Sequence, residues 1–204
     1  ADDQEAHLLF EKGVRGGVSV ISKRYCKAHN KYMGESYDPT RESVYCLYIH
    51  ANALYSGAMQ EKLPYKNLQW IDEPTLRCME KDPSLITTCT LEVDLDVPQT
   101  KAFHDHTNCY PLAPETKIIG KVPKLAPNLL NKRGYVVHHK AVKCYLENGL
   151  ILKRIRRRIK YEEKAYIKSY IDLNTRMQTS ARNDFEVAFF KLMNNSVFGK
   201  QLES

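Results

Sequence analysis

Lys191, Asn195 and Phe198 recur at i, i+4 and i+7, so a helix here turns a cation, an amide and an aromatic ring to one side. An ordinary amphipathic helix with a solvated lysine has the same pattern. Between Lys153 and Lys160, the cations Arg154, Arg156, Arg158 and Lys160 alternate with Ile155 and Ile159, the two-residue period of a strand with one cationic face. Three readings fit such a face: a groove for nucleic-acid phosphates, a nuclear-import signal, or a solvated surface. His104, Asp105, His106 and Cys109 offer imidazole, carboxylate and thiolate donors close together, a zinc set if a fourth ligand came from elsewhere, and otherwise a polar loop. Cys26 with His29, and His138 with His139, are thinner donor pairs. Gly16 and Gly17, directly after Arg15, suit a tight turn or close approach of backbone to a ligand.

The elements that must carry these residues follow from periodicity. Residues 5–14 read as a helix that stops at the glycine pair. Residues 44–49 form a short continuous apolar run, expected as a strand buried on both faces and leading into His50. From Thr87 to Leu95, apolar odd positions alternate with polar even ones, the pattern of a half-buried strand. Residues 98–127 hold five of the nine prolines and predict a long surface connection. A strand at 135–138 and a helix at 140–148 ending at Gly149 come next, then a strand at 151–161 with Ile151, Ile155 and Ile159 on one face. Two helices close the chain, 162–182 and 184–198, with Asn183 as a cap and Gly199 as a stop. The fold class expected is α+β.

Composition sets the outer bounds. With 204 residues and 43% hydrophobic content the chain has material for a core, and a net charge of +7 favours a polyanionic partner. Six scattered cysteines without a C-x-x-C pair point to reduced thiols. Neither a long apolar run nor a basic-then-apolar N-terminal order appears, so an intracellular chain, nuclear or cytoplasmic, not secreted and without membrane contact, is expected.

The string Lys191-Leu192-Met193-Asn194-Asn195-Ser196-Val197-Phe198-Gly199-Lys200 resembles motif B of family B DNA polymerases, whose usual form is lysine, three residues, Asn-Ser, one residue, Tyr-Gly. Tyr48-Ile49-His50-Ala51-Asn52-Ala53-Leu54-Tyr55-Ser56-Gly57-Ala58-Met59 is similar to motif A of the protein-primed members found in linear viruses and self-replicating transposons, with His50 where they carry Asp. Arg15-Gly16-Gly17-Val18, followed by Tyr25 and Tyr32, resembles the Gly-Gly element that joins exonuclease and polymerase regions in that group. The interval of more than 130 residues between motifs A and B resembles the insertion peculiar to the protein-primed type. Tyr110-Pro111-Leu112-Ala113-Pro114-Glu115 and Tyr170-Ile171-Asp172-Leu173-Asn174-Thr175 are similar to stretches of transposon-borne polymerases.

This resemblance implies a partial palm over residues 1–61, the insertion as an α/β region over 62–160, and helical fingers over 161–204. It implies DNA-directed DNA synthesis in replication, with DNA template and primer, a deoxynucleotide, and a terminal priming protein or complementary polymerase chain as partners. Tyr55 would lie under the nucleotide sugar, Lys191 on the triphosphate, Asn195 beside it and Phe198 near the incoming base, while Gly16, Gly17, Arg154, Arg156, Arg158 and Lys160 would meet DNA. The family uses Mg2+ held by the motif A aspartate and a later Asp-Thr-Asp. His50 replaces the first, and no counterpart of the second occurs in the 204 residues. A hard cation prefers charged oxygen to neutral nitrogen, so this chain alone is expected to hold no Mg2+ and to lack catalysis. The alternative implied is a decayed or domesticated polymerase segment, a pseudoenzyme that binds nucleic acid or serves in assembly.

Overall fold

A computed structural model describes residues 3–16, 21 and 24–200. Its elements run α1 (Asp3–Gly13), α2 (Leu54–Met59), β1 (Leu63–Trp70), α3 (Glu73–Lys81), β2 (Cys89–Asp96), α4 (Lys101–Thr107), β3 (Glu115–Ile119), β4 (Val122–Ala126), β5 (Lys132–His138), α5 (His139–Glu147), β6 (Ile151–Lys164), α6 (Lys168–Thr179) and α7 (Asp184–Lys200). This is an α+β architecture around a small antiparallel sheet of order β1-β6-β2-β5, with β3 and β4 forming a separate hairpin.

The alternation read in β2 sets the core. Cys89, Leu91, Val93 and Leu95 pack on one side with Leu76 and Met79 of α3, Phe103 of α4 and Val142 of α5. On the other side Ala6 and Leu9 of α1 pack with Val136, Ile159 and Tyr161. The even positions Thr90, Glu92 and Asp94, expected to be solvated, are buried as well. Their polar groups are answered within the protein: Thr90 bonds Tyr161, Glu92 accepts from Lys12 and Arg157, and Asp94 accepts from Arg156 and Gly134 N. A strand can be covered on its polar face when every buried acceptor finds a donor.

In β6, the strict two-residue period fails. Glu92 pairs with Arg157 and Val93 with Ile155, leaving Arg156 as an extra residue, and a second shift falls between Asp94/Arg154 and Leu95/Leu152. Each bulge inverts the parity of the residues beyond it. Ile155 therefore lies in the α3–α5 cluster and Ile159 in the α1 cluster, instead of sharing one face. The stretch of β6 not covered by β1 is shielded by α3, whose Glu80 Oε1 accepts the N–H of Ile155 at 2.6 Å.

Four further expectations are corrected. Residues 45–50 form no strand: Tyr48 is 91% and Ile49 76% exposed, and the nearest sheet-like pairing is one bridge between His29 and Val44. An apolar run becomes a buried strand only beside a partner, and none is present among the described residues. Residues 98–127 contain α4, capped by Thr100 Oγ1 accepting from Phe103 N, and the β3–β4 hairpin, which turns at Gly120 with φ 69°. Prolines flank these elements more than they interrupt them. β6 continues to Lys164 because Leu63–Lys66 pair with Glu162–Lys164, so the following helix starts at Lys168 rather than at 162. Finally, α7 runs through Gly199 to Lys200, an interior glycine costing only about 1 kcal/mol. Its N-terminal cap agrees with the sequence, Asn183 Oδ1 accepting from Glu186 N at 2.9 Å. No helix among the described residues is long and apolar enough to cross a membrane.

Candidate nucleotide and nucleic-acid contacts

Helices α6 and α7 form an antiparallel pair that fixes the orientation of α7. Tyr170 Oη donates to Met193 O at 3.2 Å, Ile171 and Asn174 are buried, and Asn194 is buried with its Nδ2 3.4 Å from Thr175 Oγ1. Asn194 thus faces the helix pair, and its neighbour Asn195 is left exposed together with Lys191. Helix α2 enters from a left-handed turn at Ala53 (φ 54°) and is tied to α6 by Gln60 Nε2 donating to Asp172 Oδ1 at 2.9 Å.

The consequence is a contact between residues far apart in sequence. The rings of Tyr55 and Phe198 stack with centroids 4.3 Å apart and planes inclined at 27°. Both rings remain about half exposed. An aromatic pair open to solvent, with one ring on the helix that also presents Lys191 and Asn195, can receive a planar ring and an anionic group together. Of the residues assigned to nucleotide binding by resemblance, Tyr55 and Phe198 meet directly, while Lys191 and Asn195 stand free on the same helix.

His50 lies four residues before α2 in the exposed segment. A magnesium site needs clustered charged oxygens, and the donor cluster found among the described residues, His138, His139 and Glu163, does not include His50. Among carboxylates elsewhere, Asp94 is held by Arg156, and Asp96 by Arg133 and Lys153. Burial alone would raise Asp94, but hydrogen bonds from Arg156 and Gly134 outweigh it and hold this carboxyl below the ordinary range. The residues at His50 do not fit Mg2+.

The four cations expected on one strand face are divided. Arg158 is 4% exposed and donates to Thr87 O at 2.8 Å beside Met79 Sδ. Its register opposite Leu91 sets it on the core face of the sheet. Arg156 forms a two-pronged pair with Asp94 at 2.8 and 3.1 Å. Arg154 and Lys160 are exposed. A face of four free cations is therefore corrected to two free cations, one paired and one buried. Gly16 is exposed, with nothing within 4 Å of where a Cβ would sit, and Gly17 lies outside the described residues. Arg15 beside them docks on β5, donating to Val136 O at 2.7 Å with its guanidinium 3.9 Å from the Tyr135 ring centre.

The residues 104–109 do not converge on a metal site: His104 faces Asp105, and His106 faces Asn148. Sequence reasoning instead undervalued His138 and His139, which meet Glu163. The histidine pair was visible, but its carboxylate comes from another strand, through pairing that spacing does not encode. Compared with models of known protein families, with curated proteins and with solved structures, the chain matches none.

Proposed function

We propose that this chain is a segment of a protein-primed family B DNA polymerase, comprising part of a palm, the inserted sheet region and the fingers helices, and contributing template and nucleotide contacts without catalysis of its own. The stacking of Tyr55 on Phe198 carries the reading, because it joins the two strings that resemble motifs A and B across a long intervening sheet. Lys191 then meets the triphosphate as a compact cation, Asn195 orients it, and Phe198 lies by the base. With His50 in place of a carboxylate and no later aspartate motif within these residues, in-line phosphoryl transfer lacks its metal clamp.

Titration of the chain with a fluorescent deoxynucleoside triphosphate tests this. Saturable binding should weaken about 5- to 150-fold in Phe198→Ala, in line with about 1–3 kcal/mol for a lost base stack, and should weaken also in Lys191→Ala, which removes the cation from the triphosphate. Equal affinity in wild type and both variants overturns the nucleotide assignment. The second reading, a domesticated nucleic-acid-binding or assembly module, draws support from the exposed apolar residues Leu47, Tyr48 and Ile49 before His50. It predicts DNA binding with no saturable nucleotide binding.

A further inference from the structure

We propose that His138, His139 and Glu163 form a binding site for a divalent transition-metal ion, zinc being the best fit, independent of the nucleotide contacts. His138 closes β5 and His139 opens α5, so adjacent imidazoles at one strand-to-helix corner converge on Glu163 of β6. Glu163 Oε1 lies 3.2 Å from His138 Nε2 and 3.8 Å from His139 Nδ1. Donors about 2.0–2.1 Å from a tetrahedral zinc are spaced roughly 3.3 Å apart, so small shifts close the set around an ion.

Charge argues in the same direction. Glu163 is 11% exposed at its side chain, and among the described residues only these two imidazoles come within ion-pair distance of it. A largely covered carboxylate that faces two imidazoles and has no Lys or Arg within ion-pair distance is a place where a divalent cation would be favoured. His138 also lines a cleft of about 510 Å³ with His7, Tyr65 and Tyr166. That cleft would let an ion reach the His138 side of the site.

The ring tautomers must adjust. Lys140 N donates to His138 Nδ1 at 3.3 Å and Cys89 N donates to His139 Nδ1 at 3.2 Å, both long bonds. Metal at His138 Nε2 moves that ring's proton from Nε2 to Nδ1, with no net proton release, and breaks the Lys140 contact. Metal at His139 Nδ1 competes with Cys89 N–H. Loading should therefore loosen the first turn of α5, and these competing bonds keep the affinity moderate.

Calorimetric titration of the 204-residue chain with Zn2+, and absorption spectroscopy with Co2+, test the site. One equivalent should bind, with affinity reduced by about 100-fold in Glu163→Gln and in His138→Gln, at least the loss usual for outer-shell changes. The latter alters a part-exposed ring and keeps the proposal testable if the former misfolds. The cobalt spectrum should be that of a tetrahedral nitrogen and oxygen site, and hydrogen exchange at Lys140 should quicken on loading. The rival is Cys26 with Cys46, whose sulfurs lie 3.2 Å apart. A thiolate-to-cobalt charge-transfer band abolished by Cys26→Ser, affinity unchanged in both variants, or no binding would each overturn the proposal.

Discussion

Tyr55 and Phe198 shield one face of each other, so truncating either ring uncovers the other. In a double-mutant cycle of Tyr55→Ala and Phe198→Ala, unfolding free energies should couple by about 0.5–1.5 kcal/mol; strictly additive losses would mean that the rings do not meet in solution. Glu92 makes a second prediction. Its burial raises the carboxyl, but hydrogen bonds from Lys12 and Arg157 outweigh that and hold it below the ordinary value of 4.5. The folded state then binds fewer protons than the unfolded one, so the contribution is complete above about pH 4.5 and fades as pH falls through the depressed folded value. Urea unfolding between about pH 7 and pH 3 should show a decline below about pH 4.5 that is shallower in Glu92→Gln. Parallel declines in the two proteins would place Glu92 outside that network.

The strand β6 shows where sequence reading reaches and where it stops. Its position, the strands β2 and β5, and the Asn183 cap of α7 follow from local period and capping chemistry, which act over a few residues. The bulge at Arg156 does not, because it arises from how β6 registers against β2 more than 50 residues away. That single extra residue puts Ile155 on the same face as Arg158 and separates it from Ile159. In the same way, the apolar run before His50 has strand composition without a strand partner, and the Glu163 side of the histidine cluster depends on tertiary placement. With Arg158 inside the protein, Arg158→Ala should lower stability by about 2–4 kcal/mol, since it empties a packed site and orphans Thr87 O. Arg158→Met should recover most of that by refilling the volume, whereas Arg154→Ala should stay within about 0.5 kcal/mol of wild type. A mild Arg158→Ala would return this residue to the surface.

Across the whole molecule, the proposed function would have the net charge of +7 meet DNA through fewer strand cations than alternation suggested. Arg154 and Lys160 remain available, Arg156 must be shared with Asp94, and Arg158 is withdrawn. Each neutralised phosphate adds about 0.9 to the salt slope, so the Arg154→Ala, Lys160→Ala double variant should flatten it by up to roughly 1.8 on double-stranded DNA. The decisive measurement combines binding and chemistry in one sample: labelled primer–template DNA is titrated with the chain in Mg2+ and deoxynucleoside triphosphates over a range of salt, and primer length is read at the end. The proposed function predicts salt-dependent binding, a flatter slope in the double variant, and no primer extension by wild type or by His50→Asp. Template-directed extension by the chain, or an absence of DNA binding at low salt, would contradict it.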